Sequence, residues 1–185
     1  MSIRVSGLRS LGNSKIRVSK LHFQYVAPVF NDKFWPKRDM SVLNSPHVRF
    51  LKKYKDVGMD IDALWDTDYV RLMEYWGFLG FGNNRDKEYI KRKISRFLTL
   101  YRSIERHGFR RKHRIQVLKN PFWITRYCGK EKFLKGYEIW HGHHRASCCY
   151  VLGISNVPCV ILEDIKPGSK NCTRIDKKLS KVKNR

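Results

Sequence analysis

The chain has 185 residues, 42% of them apolar, which suffices for one domain with a real core and hardly for two. Its 39 Lys and Arg against 16 Asp and Glu give a formal charge of +23, favouring anionic partners: nucleic acid, nucleotides or an acidic membrane surface. Five cysteines without a CxxC pair speak against a zinc ribbon or a disulfide framework. No apolar run is long enough to span a bilayer and no secretory signal opens the chain, so a reducing cytoplasm is expected.

Residues 1–20 carry Arg4, Arg9, Lys15, Arg17 and Lys20 with no acidic residue, and read as a basic flexible arm. Leu21 to Phe34 is aromatic and apolar enough for an irregular strand on the core, ended by Trp35-Pro36. Ser45-Pro46 predicts a capped helix start that leads into Val48 to Tyr54. Trp65, Tyr69, Leu72, Met73 and Trp76 then recur at helical spacing, predicting a helix over about 62–76 whose stripe is core, since packing alone requires that spacing.

The clearest helix spans roughly 86–107, with Ile90, Ile94, Phe97, Leu98, Tyr101 and Ile104 as its apolar stripe and Gly108 as its stop. Lys91, Arg92, Arg96, Arg102 and Arg106 occupy its other side and continue into Arg110-Arg111-Lys112-His113-Arg114. Such a cluster either tracks a phosphate backbone or is a solvated face. Ile115 to Leu118 and Phe122 to Thr125 read as strands joined by a turn at 119–121. Beyond Asp164 the apolar pattern stops, leaving a basic tail over 166–185. The whole is expected to be α+β: a mainly helical region over 21–100 packed on a core over 101–165.

The richest segment runs from Gly136 to Gly153. Tyr137 and Ile139 suit a short strand, Gly142 suits a turn, and Ala146, Cys149, Tyr150 and Leu152 give a following helix its apolar side; Val157 to Leu162 reads as another strand. The first N–H groups of that helix and its dipole favour an anion, and His143, His144 and Arg145 add side-chain donors at the same end. Alternation of His141 and His143 also admits a metal reading, although spacing specifies no third ligand. Cys148 and Cys149 read as packing residues.

Ser103-Ile104, Gly108, the strand Ile115-Gln-Val117, Gly142-His-His-Arg-Ala146, Leu152-Gly153 and Val157-Pro-Cys-Val-Ile161, in that order, resemble the ParB/sulfiredoxin superfamily of small nucleotide-binding domains. The resemblance covers about a third of the chain. It implies a small mixed sheet with flanking helices. Nucleotide phosphates, of ATP or CTP with Mg2+, would lie at Gly142, His143, His144, Arg145 and Ala146, with Ser103 nearby. His143 stands where sulfiredoxin has its reactive cysteine, which speaks against sulfinic-acid reduction, and His141 stands where many relatives carry Asp. The first function expected is hydrolysis of a nucleoside triphosphate or transfer of its phosphoryl group, with His143, His144, Arg145 and Glu105 as candidate catalytic residues and Glu138 as a second possible carboxylate. The alternatives are a non-enzymatic DNA- or RNA-binding protein using Arg106, Arg110, Arg111, Lys112 and Arg114, and a metal-dependent ParB-like nuclease.

Overall fold

The computed structural model describes residues 8–23, 34–35, 40–78, 86–119 and 136–164. It is a mixed α+β fold in which strands β1 (Leu8–Arg17) and β2 (Leu21–His22) precede helices α1 (Pro46–Val57), α2 (Ile61–Trp65), α3 (Asp68–Phe78) and α4 (Lys87–His107). Strands β3 (Ile115–Lys119) and β4 (Tyr137–His141), helix α5 (His143–Val151) and strand β5 (Asn156–Asp164) follow. The five strands form one sheet in the order β1-β5-β3-β4-β2. β1 runs antiparallel to β5 and β4 antiparallel to β3, whereas β3 with β5 and β2 with β4 are parallel.

Local chemistry explains most boundaries. Ser45 Oγ accepts a hydrogen bond from Val48 N at 3.2 Å with Pro46 in the first turn of α1, and Asp86 Oδ1 accepts from Glu88 N at 2.9 Å to open α4. Gly108 closes α4, its N–H reaching the Ile104 carbonyl at 2.8 Å. The helix expected over 62–76 is two helices. Thr67 Oγ1 donates to the Leu64 carbonyl at 2.8 Å and Thr67 N to the Trp65 carbonyl at 2.9 Å, so the Asp66-Thr67 pair turns the chain before α3 begins.

Helices and sheet share a single apolar core. Ile115, Val117, Ile139, Val157 and Cys159 on the inner face of the sheet join Phe50, Leu51, Tyr69, Ile94, Phe97 and Tyr101 from the helices. Tyr69 and Leu72 are buried within it, so the aromatic stripe of α3 is core as expected. Arg49 on α1 ties the helical layer together, donating to Asp68 Oδ2 at 2.8 Å and to the carbonyls of Asn44 and Phe34 at 2.6 and 2.8 Å.

The beginning of the chain departs from expectation. Within the arm expected over 1–20, residues 8–17 form β1, an edge strand registered from Leu8 opposite Asp164 to Arg17 opposite Asn156. Ile16 is buried and a bulge between Ser10 and Gly12 bends the strand. The structure therefore opens on strands rather than helices, and the sheet draws both its edges from outside the 101–165 segment. The expected strand at 21–34 is only Leu21–His22 among the described residues. At Gly136 a Cβ would overlap the His22 ring and the Lys20 carbonyl, so only glycine lets β2 lie this close to the start of β4. The strand expected at 122–125 and the tail at 166–185 lie outside the described residues.

Candidate functional site

A cleft of about 730 Å³ opens where α4, the turn after it, the end of β4 and the first turn of α5 meet. Helix α4 contributes Lys93, Arg96, Phe97, Leu100, Ser103 and Ile104, spaced by three and four so that one helical face looks into the cleft. Phe109, Arg110 and His113 come from the following turn, and Trp140 to Arg145 complete the wall. Among the described residues the lining carries four Lys or Arg side chains and no carboxylate.

The turn between β4 and α5 is set by Gly142, whose φ of 111° and ψ of 24° lie in the left-handed region. Among the described residues no side chain caps α5, so its first N–H groups lack a capping acceptor where Gly142 to Arg145 line the cleft, at the positive end of the helix dipole. A Cβ on Gly142 would press within 3.1 Å of the Arg145 guanidinium, which lies flat against the turn. Ala146, expected among the phosphate contacts, is fully buried and gives its N–H to the Gly142 carbonyl at 2.9 Å; as the first residue to close an intrahelical bond, it has no donor left.

Arg145 is engaged more heavily than a free phosphate ligand. One terminal nitrogen donates to the backbone carbonyls of His113 and of Arg114, the latter at 3.0 Å, and the other donates to His141 Nδ1 at 2.9 Å. His141 is thereby fixed as the neutral tautomer protonated on Nε2, its pKa lowered by burial and then by the Arg145 charge. Arg145 thus pins the 110–114 turn to the start of α5 while itself lining the cleft.

The two following histidines point toward the core. His144 Nε2 lies 2.8 Å from the Tyr69 hydroxyl, and its ring packs edge-on to Phe97 with centroids 4.4 Å apart. His143 donates to the Ile139 carbonyl and stacks obliquely on Phe23 at 4.8 Å. His47 bridges the two groups, 4.8 Å from Phe23 and 4.9 Å from His144. Burial, followed by neighbouring charge, lowers His143 to about 4 and His144 to about 3, so both are neutral near pH 7. Both line the cleft, but as neutral polar groups rather than cations. Among the described residues no group of three or more His, Cys, Asp or Glu is arranged to hold a metal ion.

The remaining expectations divide cleanly. Ser103 lines the cleft, whereas Glu105 is exposed and turned toward Tyr101, because two residues along a helix rotate a side chain by about 200°. Glu138 is buried in β4, away from the lining. Arg110 lines the cleft; Arg111 and Lys112 stand exposed on a 3-10 turn, and Arg114 reaches Asn13 Oδ1 at 3.0 Å. Arg106 is exposed and does not line the cleft. Part of the basic side of α4 is engaged: Lys91 is neutralised by Glu88 at 2.8 Å, and Arg102, still charged, donates to the Tyr54 hydroxyl at 2.9 Å. Cys148, Cys149 and Cys159 are buried free thiols with pKa pushed up by burial, consistent with packing roles.

Sequence reasoning missed Lys93, Trp140, Phe109, Tyr69 and His47. For Lys93 a signal existed: counting back from Ser103 in steps of three and four passes through Leu100, Arg96 and Lys93. Trp140 depended on a bulge. Gln116 pairs with His141 and Val117 with Ile139, leaving Trp140 as the extra residue at the cleft rim. Comparison with protein-family models, curated proteins and solved structures finds no match to this chain.

Proposed function

We propose that this chain is a nucleotide-binding protein of ParB/sulfiredoxin type that holds the phosphates of ATP or CTP in the cleft beside Gly142. The observation that carries the reading is the convergence, among the described residues, of an uncapped helix N-terminus with Lys93, Arg96, Arg110, Arg145 and the Ser103 hydroxyl in one cleft without a carboxylate. Phosphates carry their charge at one end of a nucleotide, and this wall offers positive charge and backbone donors together. Hydrolysis of the bound triphosphate, or transfer of its terminal group to an acceptor, is the activity such a site would serve, because phosphoryl transfer needs positive charge around the moving group. The lining suits Mg2+ poorly: that ion prefers carboxylate oxygens, and among the described residues Ser103 alone offers a side-chain oxygen. No step is assigned to it.

Calorimetric titration with ATP, CTP, GTP and ADP, comparing the unmodified protein with a Lys93→Ala/Arg96→Ala variant, tests the reading. Both side chains are at least partly exposed, so the variant is expected to fold. Saturable binding weakened roughly tenfold or more per lost charged contact is the expected result. Absence of saturable binding by any of the four nucleotides refutes the proposal.

A further inference from the structure

We infer that the outer face of the sheet, beside the cleft, is a binding surface for single-stranded nucleic acid. Alternation along β1 separates buried Ile16 on the inner face from Asn13, Lys15 and Arg17 on the outer one, all three exposed. In register, Lys15 stands opposite Pro158 and Arg17 opposite Asn156 on β5, while Ile115 stands opposite Cys159 on the other side of β5. Arg114, immediately before Ile115, therefore lies at the same level two strands away, about 10 Å across the sheet. Its side chain reaches over β5 to Asn13 Oδ1 at 3.0 Å. Arg111 and Lys112 stand exposed on the turn that leads from this face into the cleft.

Charge complementarity selects the occupant. The exposed side chains of this face supply cations and amides, from Lys15, Arg17, Arg114, Asn13 and Gln116. The acidic groups nearby do not cancel them. Glu163 lies at the inner-face parity of Ile161 and is paired with Arg9 at 2.6 Å, and Glu138 is only 2% exposed. Two partly exposed aromatic rings, Trp140 at the bulge beside Gln116 and Phe109 in the turn, border the track. Cations spaced along a sheet with aromatic plates at one end suit an unpaired strand, whose bases are free to stack, whereas a duplex keeps its bases inside. The inference does not rest on the nucleotide reading, since Lys15, Arg17 and Arg114 do not line the cleft.

Fluorescence anisotropy with labelled oligothymidylate and oligouridylate, against a duplex of equal length, tests it over a salt series. Five cations, Lys15, Arg17, Arg111, Lys112 and Arg114, predict a slope of log affinity on log salt of about −3.5 for a single strand. The variant Lys15→Gln/Arg17→Gln/Arg114→Gln should make that slope shallower by about 2 while leaving nucleotide titrations unchanged. Replacing Arg114→Gln by Arg114→Lys in that variant should recover about 0.7 of it. Trp140→Ala should weaken the single strand roughly tenfold, with recovery in Trp140→Phe. An unchanged slope in the triple variant overturns the inference, as does tighter binding of the duplex. Capture by phosphatidylserine vesicles without oligonucleotide binding at low salt overturns it too.

Discussion

The half-buried histidines at the start of α5 make the stability of this protein fall as pH is lowered, and the size of the effect follows from their surroundings. His143 and His144 titrate near 4 and 3 in the folded chain against an ordinary value of 6.5. Below 6.5 the unfolded chain therefore binds protons that the folded chain refuses, and the sign is fixed: stability is fully present above that pH and drains away as pH falls toward the folded values. One pKa unit corresponds to about 1.4 kcal/mol, so by pH ~5 each histidine costs about 2 kcal/mol and the pair about 4 kcal/mol. Total stability of a domain is about 5–15 kcal/mol, so this loss is a large share of it. His47 acts in the same direction, its pKa lowered first by burial and then by His144 and His143. Urea denaturation followed by circular dichroism at stepped pH would read the effect directly. The midpoint should drop steeply between pH ~6.5 and ~4, and His144→Gln should flatten the slope by about 1.4 kcal/mol per pH unit. A midpoint that is level down to pH ~5, or imidazole resonances titrating near the ordinary value, would refute the reasoning.

Gly142→Ala places a Cβ in a left-handed conformation and against the Arg145 guanidinium; a loss of about 1–3 kcal/mol in unfolding free energy is expected. Tyr69→Phe removes the hydroxyl that meets His144 Nε2 and should cost about 1–3 kcal/mol in the same assay, by leaving the buried nitrogen without that partner. Cys148, Cys149 and Cys159 should resist alkylation in the folded protein and react only after denaturation, as peptide mass mapping would record, because burial both shields the thiols and holds them protonated.

Where the determinants are local, the sequence was a good guide. Ser45-Pro46, Asp86 and Gly108 act on N–H and C=O groups within four residues, and they mark the ends of α1 and α4 as expected. The run from β4 through Gly142 to α5 and β5 was legible for the same reason. β1 was not. Its partner lies about 150 residues away, and an edge strand showing polar side chains outward leaves only Ile16 of its central stretch as a buried marker. In the cleft, the resemblance brought out Ser103, and the glycine turn into a helix start brought out residues 142–145, because a turn before a helix is a pattern of sequence. The inward aim of His143 and His144 was hidden, since Phe23, His47, Tyr69 and Phe97, the rings that receive them, come from distant segments.

The same distinction alters how Arg145 should be understood. In the sequence it stands beside a glycine at a helix start and reads as a phosphate ligand, yet the acceptors that satisfy much of it are backbone carbonyls of His113 and Arg114, which no residue type announces. A guanidinium has five N–H donors in a rigid fork, so holding the turn with one terminal nitrogen and His141 with the other leaves only part of the fork for a ligand. Charge for an anion must then come chiefly from Lys93, Arg96 and Arg110, which have no such ties among the described residues. Arg145→Ala would consequently confound binding with loss of the turn, and the α4 cations are the sharper probe. A phosphate drawn to this cleft would be held mainly from the helix α4 side, with Gly142 and Arg145 fixing the shape of the opposite wall.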